Sequence, residues 1–212
     1  MSVLRAFIAI ELPATIQDAI QKQTTRLRAA LGDDLIRWIP SHNIHLTLKF
    51  LGDIAPSHVD FLKQMLARET EAFAPFDVQI SGLGCFPSSK RPRVIWTGLH
   101  APAVLASIHR NMEAATARLG YEKEERPFSP HLTIGRVKQN PSTADLQKIR
   151  LAVESTQLGS IGTARVDSMV LFRSDLKPTG AVYTKLFSAK FKPDPTALQR
   201  TAIPGEDSRD AA

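Results

Sequence analysis

The sequence has one cysteine, Cys85, so no internal disulfide can form, and the expected setting is a reducing cytoplasm. Cys85 itself reads as a small buried apolar residue rather than a nucleophile. No apolar run approaches the roughly 20 residues that a membrane-crossing helix needs. Met1 to Leu12 alternates like a strand and lacks a basic leader, an apolar block and a small-residue cleavage site. It is therefore not expected to be a signal peptide. Neither GxGxxG nor GxxxxGK[ST] occurs, so the glycine-rich phosphate loops of nucleotide folds are missing.

What is there is an ordinary globular composition. The 212 residues are 43% hydrophobic and 23% charged, enough for one compact domain or two small, intimately packed lobes. The formal net charge of +6 favours a polyanionic partner, although a moderate excess alone says little.

Hydrophobic periodicity divides the chain into alternating elements. Leu4 to Ile10 reads as a strand, and Ile16, Ile20, Leu27 and Leu31 recur at helical spacing between Pro13 and Gly32. Two short strands, Ile36 to Ile39 and Ile44 to Leu51, precede a helix carrying Val59, Leu62, Met65 and Leu66. Phe76 to Phe86 and Arg93 to Leu99 read as strands joined by a basic connection containing Lys90 and Arg91. A helix follows over Val104 to Leu119, stopped by Gly120. Then come a strand from Pro130 to Val137, a short helix with Leu146, Ile149 and Val153, and strands Val166 to Arg173 and Ala181 to Phe191. Short turns between several neighbouring strands favour antiparallel pairing, hence α+β. From residue 192 the periodicity stops, and residues 192–212 are expected to form a flexible tail.

The informative feature is a repeat. His45-Leu46-Thr47-Leu48 returns 86 residues later as His131-Leu132-Thr133-Ile134. Composition alone yields roughly 0.4 His-x-Thr tripeptides in such a chain, so one copy means nothing. Two copies, each on an expected strand, are far less expected by chance. Strand alternation sends Leu46, Leu48 and Phe50 into the core, and His45, Thr47 and Lys49 to the opposite face. In the second copy His131 and Thr133 share a face while Leu132 and Ile134 go inward.

Paired imidazoles suit phosphate-ester cleavage. Opening a cyclic phosphodiester needs a base for the attacking water and an acid for the departing oxygen, and imidazole exchanges its proton near neutral pH. The two hydroxyls would hold the non-bridging oxygens as charge grows on them. No metal and no cofactor are demanded. The competing metal-site reading is weaker, because zinc sites add Cys, Asp or Glu ligands, or a His at helical spacing. His42 and His45 would face opposite ways on a strand. A second alternative is a non-catalytic binder of RNA ends or nucleotides; retention of both histidines favours the enzyme.

Those motifs and their flanks resemble the two-histidine (2H) phosphoesterase superfamily, and within it the bacterial RNA 2′,3′-cyclic phosphodiesterases, also called 2′-5′ RNA ligases. The similar segments are Arg5 to Ile10, Arg37-Trp38-Ile39-Pro40, Asn43 to Gly52, Gly82 to Pro87 with Pro92 to Trp96, and Phe128 to Arg136. Gly135 and Cys85 are local variations. The resemblance implies two pseudo-symmetric lobes of mainly antiparallel sheet within one domain, residues 1–191, with helices outside and the site in the central cleft. It implies hydrolysis of an RNA-terminal 2′,3′-cyclic phosphate to a 2′-phosphate end, with reversible 2′-5′ ligation as the back-reaction. His45 would then be the proton donor, His131 the base, and Thr47 and Thr133 the phosphate ligands. Arg136 ranks below them, because alternation turns it away from Thr133. Linear 2′-5′ oligonucleotides and small cyclic sugar-nucleotide phosphates are alternative substrates. The expected partner is an RNA end and the expected state a monomer.

Trp38, Trp96, Phe50 and Tyr183 are candidates for base stacking, with core packing the competing role for each. Lys90, Arg91 and Arg93 either meet RNA phosphates or form a solvated loop. His58, His100 and His109 read as surface histidines without partners.

Overall fold

The computed structural model describes residues 3–178 and 180–192, so the tail expected after Lys192 lies outside the described residues. Nine strands are found: β1 (Leu4–Glu11), β2 (Ile36–Trp38), β3 (His45–Ile54), β4 (Phe76–Phe86), β5 (Val94–His100), β6 (His131–Val137), β7 (Ser160–Val166), β8 (Ser168–Lys177) and β9 (Gly180–Lys190). The five α-helices are α1 (Ala14–Gln23), α2 (Thr25–Leu35), α3 (His58–Thr70), α4 (Ala103–Arg118) and α5 (Thr143–Ser155). The fold is α+β, and every strand pair is antiparallel.

The strand order β7-β4-β5-β6-β3-β1-β8-β9 has a centre of symmetry between β6 and β3, the two strands that carry the histidines. Each half is a four-strand run starting from one of these motif strands, and β2 adds to β6. The halves meet through one registered pair, Leu46 with Leu132. The helices are exchanged across this seam. α1 follows β1 but packs on β7, and α4 follows β5 but packs on β3. The two halves thus share one apolar core, running from Ile8 and Leu46 to Ile80, Ile95 and Leu132.

The expected single helix from Pro13 to Gly32 is two helices. Thr24 separates them, and its Oγ1 donates to the carbonyl of Ile20 at 2.8 Å, competing with the helical ladder. Gly32 does not end the second helix, which continues to Leu35 through a local break at φ 67°.

The larger correction concerns which side chains face which way. In the β1–β3 pairing Ala9 opposes Thr47 while Ile8 opposes Lys49, so Leu48 is an extra residue: a β-bulge. Each bulge reverses the alternation beyond it. Lys49 therefore points into the core, where it is 4% exposed, and Phe50 points outward at 63% exposure. Both are the reverse of simple alternation. β6 carries a bulge at the matching position, since Thr133 opposes Trp96 and Gly135 opposes Ile95, leaving Ile134 extra. Arg136 is thereby returned to the face of His131 and Thr133, again contrary to alternation.

Candidate functional site

One face of the sheet carries the helices and the main core; the other carries both histidines. This second face is concave. His45 on β3 and Tyr183 on β9 are three strand spacings apart, about 14 Å on a flat sheet. Their rings nevertheless lie 5.2 Å apart. In the other half Phe86 on β4 reaches His131 on β6 at 4.8 Å, across two spacings. Each half curls over its own histidine. The site is an open trough, and a cavity of about 680 Å³ between Arg5 and Lys177 lies beyond the imidazoles.

Antiparallel register through Leu46 and Leu132 sets the geometry at the centre. His45 falls opposite Thr133, and Thr47 opposite His131. The two imidazoles occupy one diagonal of a four-residue square and the two hydroxyls the other. Diagonal neighbours of this kind lie about 7–8 Å apart, with their Cβ atoms somewhat closer. Neither Thr47 nor Thr133 hydrogen-bonds through its hydroxyl to another described residue, so both are available to a ligand.

Each imidazole is held in the same way. Nδ1 of His45 donates to the carbonyl of Asn43, and Nδ1 of His131 to the carbonyl of Ser129, both at 2.8 Å. With Nδ1 committed to a carbonyl, Nε2 is the nitrogen left for chemistry. The supports are themselves anchored. Asn43 Nδ2 donates to the carbonyl of Ala181 at 3.0 Å, and Gln17 Nε2 to that of Ile44 at 3.1 Å. Before Ser129, Phe128 stacks on His109 at 3.9 Å. His109 is thus partly buried and partnered, not a bare surface histidine, and His58 likewise meets the Tyr121 hydroxyl at 3.0 Å.

The halves differ in what surrounds the ring. His45 stacks on Phe7 at 4.8 Å, within a small apolar cluster of Phe7, Ala9, Val170 and Phe172, with Tyr183 against it. Burial pushes its pKa down to about 4; the Asn43 carbonyl and Glu11 oppose this, and Arg136 and His131 add to it. His131 is less enclosed and is lowered too, first by burial and then by Arg136. Arg136 therefore bears electrostatically on both imidazoles, as its bulge-corrected orientation requires. Glu11, opposite His45 on β1, is paired with Lys185 at 2.6 Å. Burial likewise lifts the Cys85 thiol to about 11, which leaves it protonated and poorly nucleophilic.

The stacking candidates separate cleanly. Trp38 lies on the core side, beneath the Arg28 guanidinium at 4.8 Å. Its room comes from Gly135, where a Cβ would fall 3.0 Å from the indole. Trp96 is on the site face, opposite Thr133, lying over Gly84, where a Cβ would meet the ring at 2.4 Å. Phe50 and Tyr183 are also on the site face. Phe7, Phe172 and Phe86, which the sequence did not single out, complete the lining. Lys90, Arg91 and Arg93 are exposed and outside the central square. His42 is exposed in the single 3₁₀ turn Ser41–Asn43. Among the described residues, no three His, Cys, Asp or Glu side chains converge as a metal site would need, and no helix is long and apolar enough to cross a membrane.

Comparison with known proteins follows the same division. The model of the LigT like Phosphoesterase family matches residues 10–96 and 100–183, one stretch around each histidine motif. An RNA 2′,3′-cyclic phosphodiesterase of Methanothermobacter thermautotrophicus is 31% identical over 183 residues, 86% of this chain and 96% of that one. One from Methanocaldococcus jannaschii is 31% identical over 180 residues, covering 85% and 96% respectively. Among solved structures, a Thermus thermophilus protein superposes with a TM-score of 0.75 at 26% identity, over 90% of this chain and 99% of its own. E. coli LigT in complex with 3′-AMP does so at 0.69 and 24%, over 90% and 99%, a likeness of fold.

Proposed function

The chain belongs to the LigT-like phosphoesterase family, and from that premise we propose that it hydrolyses the 2′,3′-cyclic phosphate at an RNA end to a 2′-phosphate, without a metal. The observation that carries this is the diagonal square of two imidazoles and two hydroxyls across Leu46 and Leu132. Relatives of about 30% identity over most of the chain are named RNA 2′,3′-cyclic phosphodiesterases.

The square suits an in-line displacement. A phosphoryl group seated on Thr47 and Thr133, with Arg136 over its non-bridging oxygens, has one imidazole Nε2 on each side. His131 Nε2 removes a proton from water as the water oxygen bonds to phosphorus. The P–O3′ bond breaks, and His45 Nε2 delivers its proton to O3′. The ring opens to a 2′-phosphomonoester and a 3′-hydroxyl. With an RNA 5′-hydroxyl in place of water as the nucleophile, the same displacement of O3′ forms a 2′-5′ linkage, and its reverse cleaves one.

Burial favours the neutral form of His45 in the free protein, so the ring takes up its proton from solvent as the substrate binds. The phosphate anion supplies the opposite charge that an enclosed imidazolium needs. The same anion offsets Arg136, whose charge otherwise works against both rings. The enclosure that depresses the His45 pKa thus makes the protonated acid a property of the complex. A strongly desolvated acid is also a stronger one, which favours departure of a poor leaving group.

An oligonucleotide ending in a 2′,3′-cyclic phosphate, incubated with the protein in excess chelator, is expected to yield a 2′-phosphate. Phosphorus NMR distinguishes this end from its isomer. A 3′-phosphate product would exchange the leaving oxygen and overturn the orientation; loss of turnover in chelator would overturn metal independence.

A further inference from the structure

Beside the phosphoryl site the trough carries positive charge that hydrolysis of the cyclic phosphate does not use. In the β2–β6 pairing Arg37 lies directly opposite Arg136. Ile36 and Trp38 turn inward, Ile36 being fully buried and Trp38 packing over Gly135, so alternation leaves Arg37 on the site face. Like charges directly opposite one another on a sheet destabilise it. Neither guanidinium has an ion-pair partner among the described residues. Arg5, opposite Asp53 on β1 and also without such a partner, shares the face of Phe7. All three arginines bear electrostatically on the Tyr183 hydroxyl, so each lies within reach of that ring.

We propose that Arg37, with Arg5 behind it, is a second phosphate subsite, which holds the phosphodiester immediately upstream of the cyclic phosphate and makes the protein prefer strand-borne ends over cyclic mononucleotides. This rests on the phosphodiesterase reading above and adds the substrate class. The geometry supports it in two ways. Directly paired strand residues have Cβ atoms about 5 Å apart, and two long guanidinium arms from such a pair reach neighbouring phosphoryl groups. A cross-strand pair of arginines that costs stability in the empty protein is relieved when a polyanion lies along it. Phe7 and Tyr183, with rings 5.0 Å apart, both pack against the His45 ring at 4.8 and 5.2 Å.

The test compares kcat/KM for a cyclic-phosphate-terminated oligonucleotide and for the corresponding 2′,3′-cyclic mononucleotide. In Arg37→Ala the ratio of the two is expected to fall about tenfold, through KM of the oligonucleotide. Its salt dependence should lose about 0.7 in log–log slope, the share of one single-strand phosphate contact. Arg37→Lys should recover part of the ratio, which a merely structural role would not predict, and Arg150→Ala on the far helix α5 should leave it alone. An equal loss on both substrates, or no change in the ratio, would overturn the subsite while leaving the phosphodiesterase standing. Binding of a 2′-phosphate-terminated oligonucleotide, followed by fluorescence anisotropy, reads the subsite independently of turnover. Wild-type binding no tighter than that of Arg37→Ala would refute it, and absence of turnover by the wild type would instead refute the activity.

Discussion

Replacing His45 or His131 by alanine is expected to lower kcat by about 10²–10⁴-fold with the fold intact, because each removes one proton-transfer partner from a single displacement. The two are not independent. Water cannot attack effectively if O3′ cannot leave, so the double variant should be about as slow as the slower single one. The expectation of an intact fold follows from the surroundings. Both rings sit on the trough face, joined to the main chain by one Nδ1 bond each. Burial holds His45 uncharged in the free protein, so its removal leaves no orphaned counter-charge. It does uncover part of Phe7, so His45→Ala should cost the more stability of the two. Single-turnover rates with parallel thermal unfolding separate the effects. Near-wild-type turnover by either variant would end the assignment.

The second large effect lies on the other side of the same strand. Lys49, turned inward by the bulge at Leu48, donates to Glu113 Oε2 at 2.8 Å and to the carbonyl of Glu122. The pair is nearly dry, with side chains 3% and 12% exposed. Glu113 Oε2 also accepts from the backbone N–H of Glu124 at 3.0 Å, so α4, β3 and the segment before β6 are tied at one point. Lys49→Met should destabilise the protein by about 3–5 kcal/mol, since it strands a buried carboxylate. Glu113 Oε1 lacks a hydrogen-bond partner, and the one further cationic group beside it among the described residues, His109 with Nε2 at 3.9 Å, is pushed toward its neutral form by burial, so little is left to absorb the loss. Adding Glu113→Leu should return much of the stability, because a buried ion pair is worth little against an apolar replacement of similar volume. Activity should not return fully, since the segment leading to Ser129 and His131 keeps fewer anchors. Urea unfolding of the single and double variants checks this. A single-variant loss below about 1 kcal/mol would mean that Lys49 is not buried as described.

Much of the site was legible because its chemistry is local. A His-x-Thr on a strand places an imidazole and a hydroxyl together whatever the rest of the chain does, and both copies lie on strands, β3 and β6. The antiparallel α+β character follows from the same alternation and the short turns, whereas the two halves are legible only through the family resemblance, and the edge strand β7 has no comparable apolar alternation to announce it. What could not be read was anything set by one extra residue. Neither Leu48 nor Ile134 has a composition that marks a bulge, yet each reverses the side chains that follow. Phe50, Lys49 and Arg136 all face opposite to simple alternation for that single reason. The aromatic enclosure of His45 was hidden for another reason. Phe7, Phe172 and Tyr183 lie far apart along the chain, and only the curl of the sheet brings them together. Asn43 was visible as a motif flank, but its bond to Ala181 is a tertiary fact. Gln17 looked like any polar position on a helix.

The central claim is that two imidazoles act on one phosphoryl group, one charged and one neutral. Its most direct test is the pH dependence of kcat/KM and of kcat on a cyclic-phosphate substrate. In the free protein burial lowers both histidines, His45 to about 4 and His131 to below the usual imidazole range. The singly protonated pair therefore dominates only on the acid side of neutral. A bell-shaped kcat/KM centred there is expected, its limbs belonging to the pair rather than to either ring. The bound phosphate favours the charged imidazole, so the kcat bell should be displaced to higher pH than the kcat/KM bell. A profile flat from pH 4 to 8, or one with a single limb in both parameters, would contradict paired catalysis by His45 and His131.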